Sequence, residues 1–130
     1  MQKIGLKYYE DFLQRIPRSE VQKLFEKVRD ACYAEVKNGK EVLIVEACGS
    51  YRRGRESCGD IDVIITKNDG TPIRGIIEKI VTRLEKEGFL KERLGSLRYS
   101  HTGSEGYMGV CQLDAEHPNR RIDIKAYPKD

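Results

Sequence analysis

Gly59-Asp60-Ile61-Asp62-Val63-Ile64-Ile65-Thr66 alternates acidic and apolar residues before closing on a β-branched run. In a strand, successive side chains leave opposite faces, so Asp60 and Asp62 project from one side while Ile61, Val63 and Ile65 project from the other. The apolar set pins the strand to a core and leaves two carboxylates together at the sheet surface. Such a pair repels itself unless something positive lies between, and an oxygen-seeking Mg²⁺ is the simplest candidate. A bare D-x-D is also what two solvated aspartates at a strand end look like, and taken alone it is better read that way.

Working outward, Val42 to Val45 is a β-branched run too short for a helix, and Gly49 and Gly54 bracket the turn that follows, which predicts a buried strand feeding a glycine loop. Before it, Tyr8 to Leu13 suits a short helix. Ile16-Pro17-Arg18-Ser19-Glu20 then supplies a helix entrance, and Val21, Leu24, Val28, Ala31 or Cys32, and Val36 recur every three or four residues as one buried stripe, ended by Asn38-Gly39. Beyond the acidic strand, Asn68-Asp69-Gly70 is a turn. Ile73, Ile76, Ile77, Ile80, Val81 and Leu84 mark an amphipathic helix that Gly88 caps. Phe89 to Leu94 reads as a minor strand, Ser100 to Gly106 as a loop, and Tyr107 to Leu113 and Arg120 to Tyr127 as two further strands. The pattern predicts an α+β fold, a small mixed β-sheet with helices on one face, and residues 1–130 as a single domain.

Two segments raise the standing of the aspartates. Gly49-Ser50-Tyr51-Arg52-Arg53-Gly54 offers backbone N–H groups, a hydroxyl and guanidinium groups, all suited to phosphate oxygens, about ten residues upstream of the pair. A solvated basic loop fits Arg52, Arg53 and Arg55 equally well in isolation. In Arg120-Arg121-Ile122-Asp123-Ile124-Lys125, Asp123 faces outward with Arg121 and Lys125 while the isoleucines face in. A third carboxylate on a neighbouring strand would complete a two-metal centre, although a surface aspartate paired with Arg121 fits that segment too.

The balance of 24 Lys plus Arg against 21 Asp plus Glu leaves a net charge of +3, too small to indicate a partner by itself. Cys32, Cys48, Cys58 and Cys111 lack C-x-x-C spacing and a nearby histidine pair, which argues against zinc and for reduced, buried thiols in an intracellular compartment. No apolar run approaches the roughly 20 residues needed to cross a bilayer. His101 and His117 lie in polar loops too far apart to form a metal pair and are given no role.

Gly49-Ser50-Tyr51-Arg52-Arg53-Gly54 followed by Gly59-Asp60-Ile61-Asp62, and later Arg120-Arg121-Ile122-Asp123, resembles the palm signature of family X DNA polymerases. Flanking stretches agree, from Ile4-Gly5-Leu6-Lys7-Tyr8-Tyr9-Glu10-Asp11 and Arg15-Ile16-Pro17-Arg18 to Glu87-Gly88-Phe89-Leu90 and Tyr107-Met108-Gly109-Val110-Cys111-Gln112-Leu113. Several ordered motifs over essentially the whole chain are far more specific than any one. The resemblance implies two Mg²⁺, with Mn²⁺ able to substitute, Asp60 and Asp62 holding both and Asp123 the catalytic one. It implies that Arg121 orients Asp123 and approaches the primer. It further implies that Gly49, Ser50, Arg53 and the Gly59 backbone hold the β and γ phosphates of a dNTP, with Arg15 a more distant helper. Tyr107, Met108 and Gly109 would belong to the strand beside the primer. The implied partners are dNTP and primer-template or gapped DNA, with no membrane, and the implied location is the nucleus for a eukaryotic source, otherwise the cytoplasm.

Family members carry further domains on both sides of this region, so the expectation is a palm excised from a longer polymerase, with an intact acidic triad but poor catalysis. Two other classes stay open. One is a free-standing minimal nucleotidyltransferase that modifies RNA, protein or a small molecule. The other is a binding module with idle carboxylates, against which three aspartates facing phosphate would speak.

Overall fold

The computed structural model describes residues 10–36, 39–47, 52–54, 56–67, 75–94, 98–99 and 105–128. In chain order these form strand β1 (Ile16–Pro17), helix α1 (Arg18–Glu35), a single helical turn α2 (Gly39–Val42), strands β2 (Leu43–Ala47), β3 (Ser57–Cys58) and β4 (Ile61–Lys67), helix α3 (Ile76–Lys86), and strands β5 (Leu90–Arg93), β6 (Arg98–Tyr99), β7 (Glu105–Cys111) and β8 (Arg120–Pro128). The main sheet runs β2-β4-β8-β7-β5, with β6 added alongside β7; β1 and β3 make a separate two-stranded ribbon. β4 and β8 are parallel and the other pairs antiparallel, so the sheet is mixed as expected.

The spacing read from the sequence explains what is buried. Val21, Leu24, Val28, Ala31 and Cys32 of α1 and Ile76, Ile77, Ile80, Val81 and Leu84 of α3 turn their stripes onto Ile61, Val63 and Ile65 of β4 and Ile122, Ile124 and Ala126 of β8. Each fully buried isoleucine contributes about 1.5–3 kcal/mol by leaving water. α3 stops as predicted: Gly88 sits at φ 81°, its N–H reaches Glu85 and the Phe89 N–H reaches Leu84, which satisfies two end carbonyls.

Local differences have physical causes. Val42 belongs to the helical turn α2 rather than to the strand, since β-branching is only a weak preference that packing overrides. Gly39 opens that turn close against the backbone of Tyr33, while α1 has already ended at Glu35. The predicted start of the second helix at Ile73 lies outside the described residues, which place it at Ile76. Glu105 and Gly106, expected in a loop, are the first residues of β7. Their polarity misleads because Glu105 is buried for a purpose: its carboxylate accepts from the Gly75 N–H (2.6 Å) and the Ile77 N–H (3.3 Å), capping α3 from another element.

Candidate metal and phosphate site

Alternation leaves one face of the sheet to the helices and the other open. On the open face the parallel register sets Asp62 opposite Asp123, and Met108 of β7 lies opposite Asp123 on its other side. Asp60 occupies the bend just before β4 and is exposed, so the expected strand start at Asp60 moves one residue to Ile61. Burial raises the Asp62 carboxyl above its ordinary range, the Asp60 charge raises it further, and Lys125 opposes. Burial likewise raises Asp123, helped by the charges of Asp62 and then Asp60 and opposed by Lys125 and Arg121. The three carboxylates therefore act on one another through a partly desolvated surface.

Among the described residues no three His, Cys, Asp or Glu side chains are drawn together as a finished ligand set. The chemistry of the donors nevertheless fits a divalent ion: carboxylate oxygens are hard ligands, and the burial and neighbouring aspartate charges that lift Asp62 and Asp123 are what a cation would offset. Arg121 is exposed on the same face, and its Nη2 lies 3.6 Å from the sulfur of Met108.

Next to this row the β1–β3 ribbon builds a basic corner. Pairing of Ile16 with Cys58 and Pro17 with Ser57, together with an Arg18 N–H to Glu56 carbonyl bond of 2.9 Å, brings residues 15–18 beside the Gly59–Asp60 bend. The Arg15 Nε donates to Ser57 Oγ (3.1 Å) and its Nη2 to the Ser57 carbonyl (2.9 Å). Its Nη1 lies 3.5 Å from where a β-carbon on Gly59 would stand. Around Cys58, burial pushes the thiol up while Arg15, Arg18 and Arg53 pull it down and Asp60 adds to the rise, which shows these charges gathered in one place. Gly49 and Ser50 lie outside the described residues; Arg53 is exposed in the turn 52–54.

Tyr107, expected beside the primer, is buried on the helix side of the sheet and donates to the Glu92 carbonyl (3.3 Å). Gly109 serves it: any β-carbon there would collide with the Tyr107 ring and stand 2.7 Å from the Glu92 carbonyl. Of the three β7 residues, Met108 is the one whose side chain shares the face of Asp123. His117, given no role, closes the turn after β7 through a 2.6 Å contact from Nδ1 to Asp114.

The sequence gives no signal for two supporting residues. Arg120 and Glu20 form a buried ion pair, with Nε to Oε2 at 2.8 Å and Nη2 to Oε1 at 2.9 Å, and the Arg120 Nη1 reaches the carbonyls of Gln14 (3.5 Å) and Arg15 (3.3 Å). One residue earlier, Asn119 donates its N–H (2.9 Å) and its side-chain amide (2.8 Å) to Asp11.

A family model described as DNA polymerase beta palm matches residues 15–129. DNA polymerase lambda of Arabidopsis thaliana is 39% identical over 133 residues, covering 99% of this chain and 24% of the relative. DNA polymerase lambda of Rattus norvegicus is 41% identical over 128 residues, covering 98% of this chain and 22% of the relative. The chain thus spans about a quarter of the length of these relatives. Among the described residues no helix is long and apolar enough to cross a membrane.

Proposed function

Because the chain belongs to the DNA polymerase beta palm family, we propose that residues 1–130 form one palm unit that transfers a deoxynucleoside monophosphate from a dNTP to a primer 3′-hydroxyl. We place this activity on gapped repair DNA in a nucleus, in keeping with relatives named DNA polymerase lambda. The observation that carries this reading is the row of Asp62 beside Asp123 on the open face, one bend from Asp60, in which each charge opposes the next. Asp60 and Asp62 would hold two Mg²⁺, with Mn²⁺ able to replace them, and Asp123 would share the catalytic ion. Bound there, the metals lower the pKa of the attacking hydroxyl and offset charge on the attacking and leaving oxygens.

The chain's own groups do the rest. Arg15, Arg53, Ser50 and the backbone of Gly49 and Gly59 hold the β and γ phosphates, which fixes the α-phosphorus over the carboxylate row. A carboxylate oxygen of Asp123 accepts the proton of the primer hydroxyl. Arg121 keeps Asp123 turned toward that hydroxyl, and Met108 and the Gly109 backbone lie under the primer end. Calorimetric titration of Mg²⁺ and a dNTP into wild type and Asp62→Ala tests the reading: binding by the variant should weaken by tenfold or more, about 1.4 kcal/mol per tenfold step. Equal binding by both proteins defeats a metal-centred mechanism, and nucleotide labelling of RNA or protein without a DNA template would redirect it to another acceptor.

A further inference from the structure

The basic corner at the Gly59–Asp60 bend stands on a buried ion pair, unlike the exposed pairs elsewhere among the described residues. Arg120 and Glu20 are 4% and 6% exposed and meet as a two-pronged ion pair between the start of β8 and the first turn of α1. Removing two charges from water costs several kcal/mol per ion, and a well-packed apolar pair of similar volume often gives equal or better stability. Joining α1 to β8 does not therefore require charge. What an apolar pair cannot do is donate to main chain, and the Arg120 Nη1 turns back to the carbonyls of Gln14 and Arg15. Asn119 donates to the side-chain carboxylate of Asp11 in the same segment. Two consecutive residues at the mouth of β8 thus fix the segment that carries Arg15, while the same strand carries Asp123 three residues further on.

We propose that Glu20 and Arg120 are a positioning pair that holds the backbone of Arg15 so that its guanidinium stays at the Gly59–Asp60 bend, ready for the terminal phosphates of the nucleotide. The proposal rests on the reading of Arg15 as a phosphate ligand given above. Ser57 restrains the guanidinium from one side through Oγ and the carbonyl, and the Arg120 fork restrains its backbone from the other. With both restraints the nitrogen beside Gly59 is directed before a ligand arrives. Little side-chain entropy is then lost on binding.

The test is a thermodynamic cycle on the 130-residue chain, with dTTP and Ca²⁺ as the titrated probe. The variants are Arg15→Ala, the apolar replacement Glu20→Leu with Arg120→Met, and their combination. Arg15→Ala should weaken dTTP binding about tenfold, the apolar replacement by a similar factor without loss of Tm, and the combination by no more than Arg15→Ala alone. If Arg15→Ala weakens binding while the apolar replacement binds like wild type, the pair is only packing and the proposal is wrong, although Arg15 remains a phosphate ligand. If Arg15→Ala binds like wild type, that reading of Arg15 fails and takes the proposal with it. An independent signature covers the case in which the apolar replacement does not fold. In Arg120→Lys, which keeps the charge and loses the fork, the Arg15 Nε–H resonance should move to the position of free arginine while the β4 amide signals stay in place; an unmoved Arg15 resonance overturns the proposal.

Discussion

Two charged residues three positions apart on β8 meet opposite fates. Arg120 is buried against Glu20, and its donors reach a carboxylate and two carbonyls. Asp123 is half-buried and faces Asp62, a group of its own sign; burial first, then the neighbouring aspartate charges, lifts both carboxyls above their ordinary range. The first arrangement is complete within the protein. The second leaves like charges facing one another, a local conflict that a cation held as proposed above would relieve.

The contrast breaks most visibly at Arg120. Arg120→Ala strands a buried Glu20 charge and should destabilise the chain by about 3–5 kcal/mol, read as a shifted urea midpoint. A loss under about 1 kcal/mol would place the pair with ordinary surface bridges. Asp123→Asn, and Asp62→Asn likewise, should act in the other direction. Each removes repulsion and should stabilise the metal-free protein by about 1 kcal/mol, a Tm gain of several degrees, while abolishing the Tm rise expected for wild type with Mg²⁺. A destabilised Asp123→Asn protein without metal would mean the carboxylates are not in conflict.

The pH dependence sharpens the same point. Because the folded-state pKa values of Asp62 and Asp123 are raised, the native protein takes up these protons before the unfolded chain does. The penalty is full above the raised folded values and disappears as pH falls through them toward the ordinary carboxylate value of 3.8. Subtracting the denaturation profile of Asp62→Asn from that of wild type should therefore leave a difference that shrinks on acidification; a difference that grows would reverse the sign of the argument. The smallest effect belongs to an exposed pair of opposite charge. Arg93 and Glu85 are bonded at 3.0 Å with side chains 41% and 33% exposed, and Arg93→Ala should cost about 0.5 kcal/mol, vanishing in high salt.

What the sequence made legible follows from local periodicity. β4 was readable because Ile61, Val63 and Ile65 alternate with Asp62 and Ile64, and α3 because its isoleucines recur at helical spacing. The placing of Asp62 beside Asp123 depended on strand adjacency, which alternation alone does not supply and the resemblance to known palms did. Glu105 looked like loop polarity because its partner is the end of a helix some thirty residues earlier. Glu20 and Arg120 gave no signal, since each is an ordinary charged residue until a partner about a hundred residues away is brought against it. For Tyr107 the motif names only the strand, whereas the parity of the position turns its side chain to the helix face.

The parallel pairing of β4 with β8 has a consequence for the order of events when the chain is made. The strand bearing Asp62 leaves the ribosome long before the strand bearing Asp123, with α3 and strands β5, β6 and β7 between them. Loop closure of that length is slow, and until it is complete β4 presents one unpaired edge and an unfinished acid pair. A partly synthesised chain therefore cannot bring Asp62 and Asp123 together, and the proposed cation site would be completed only when β8 pairs with β4.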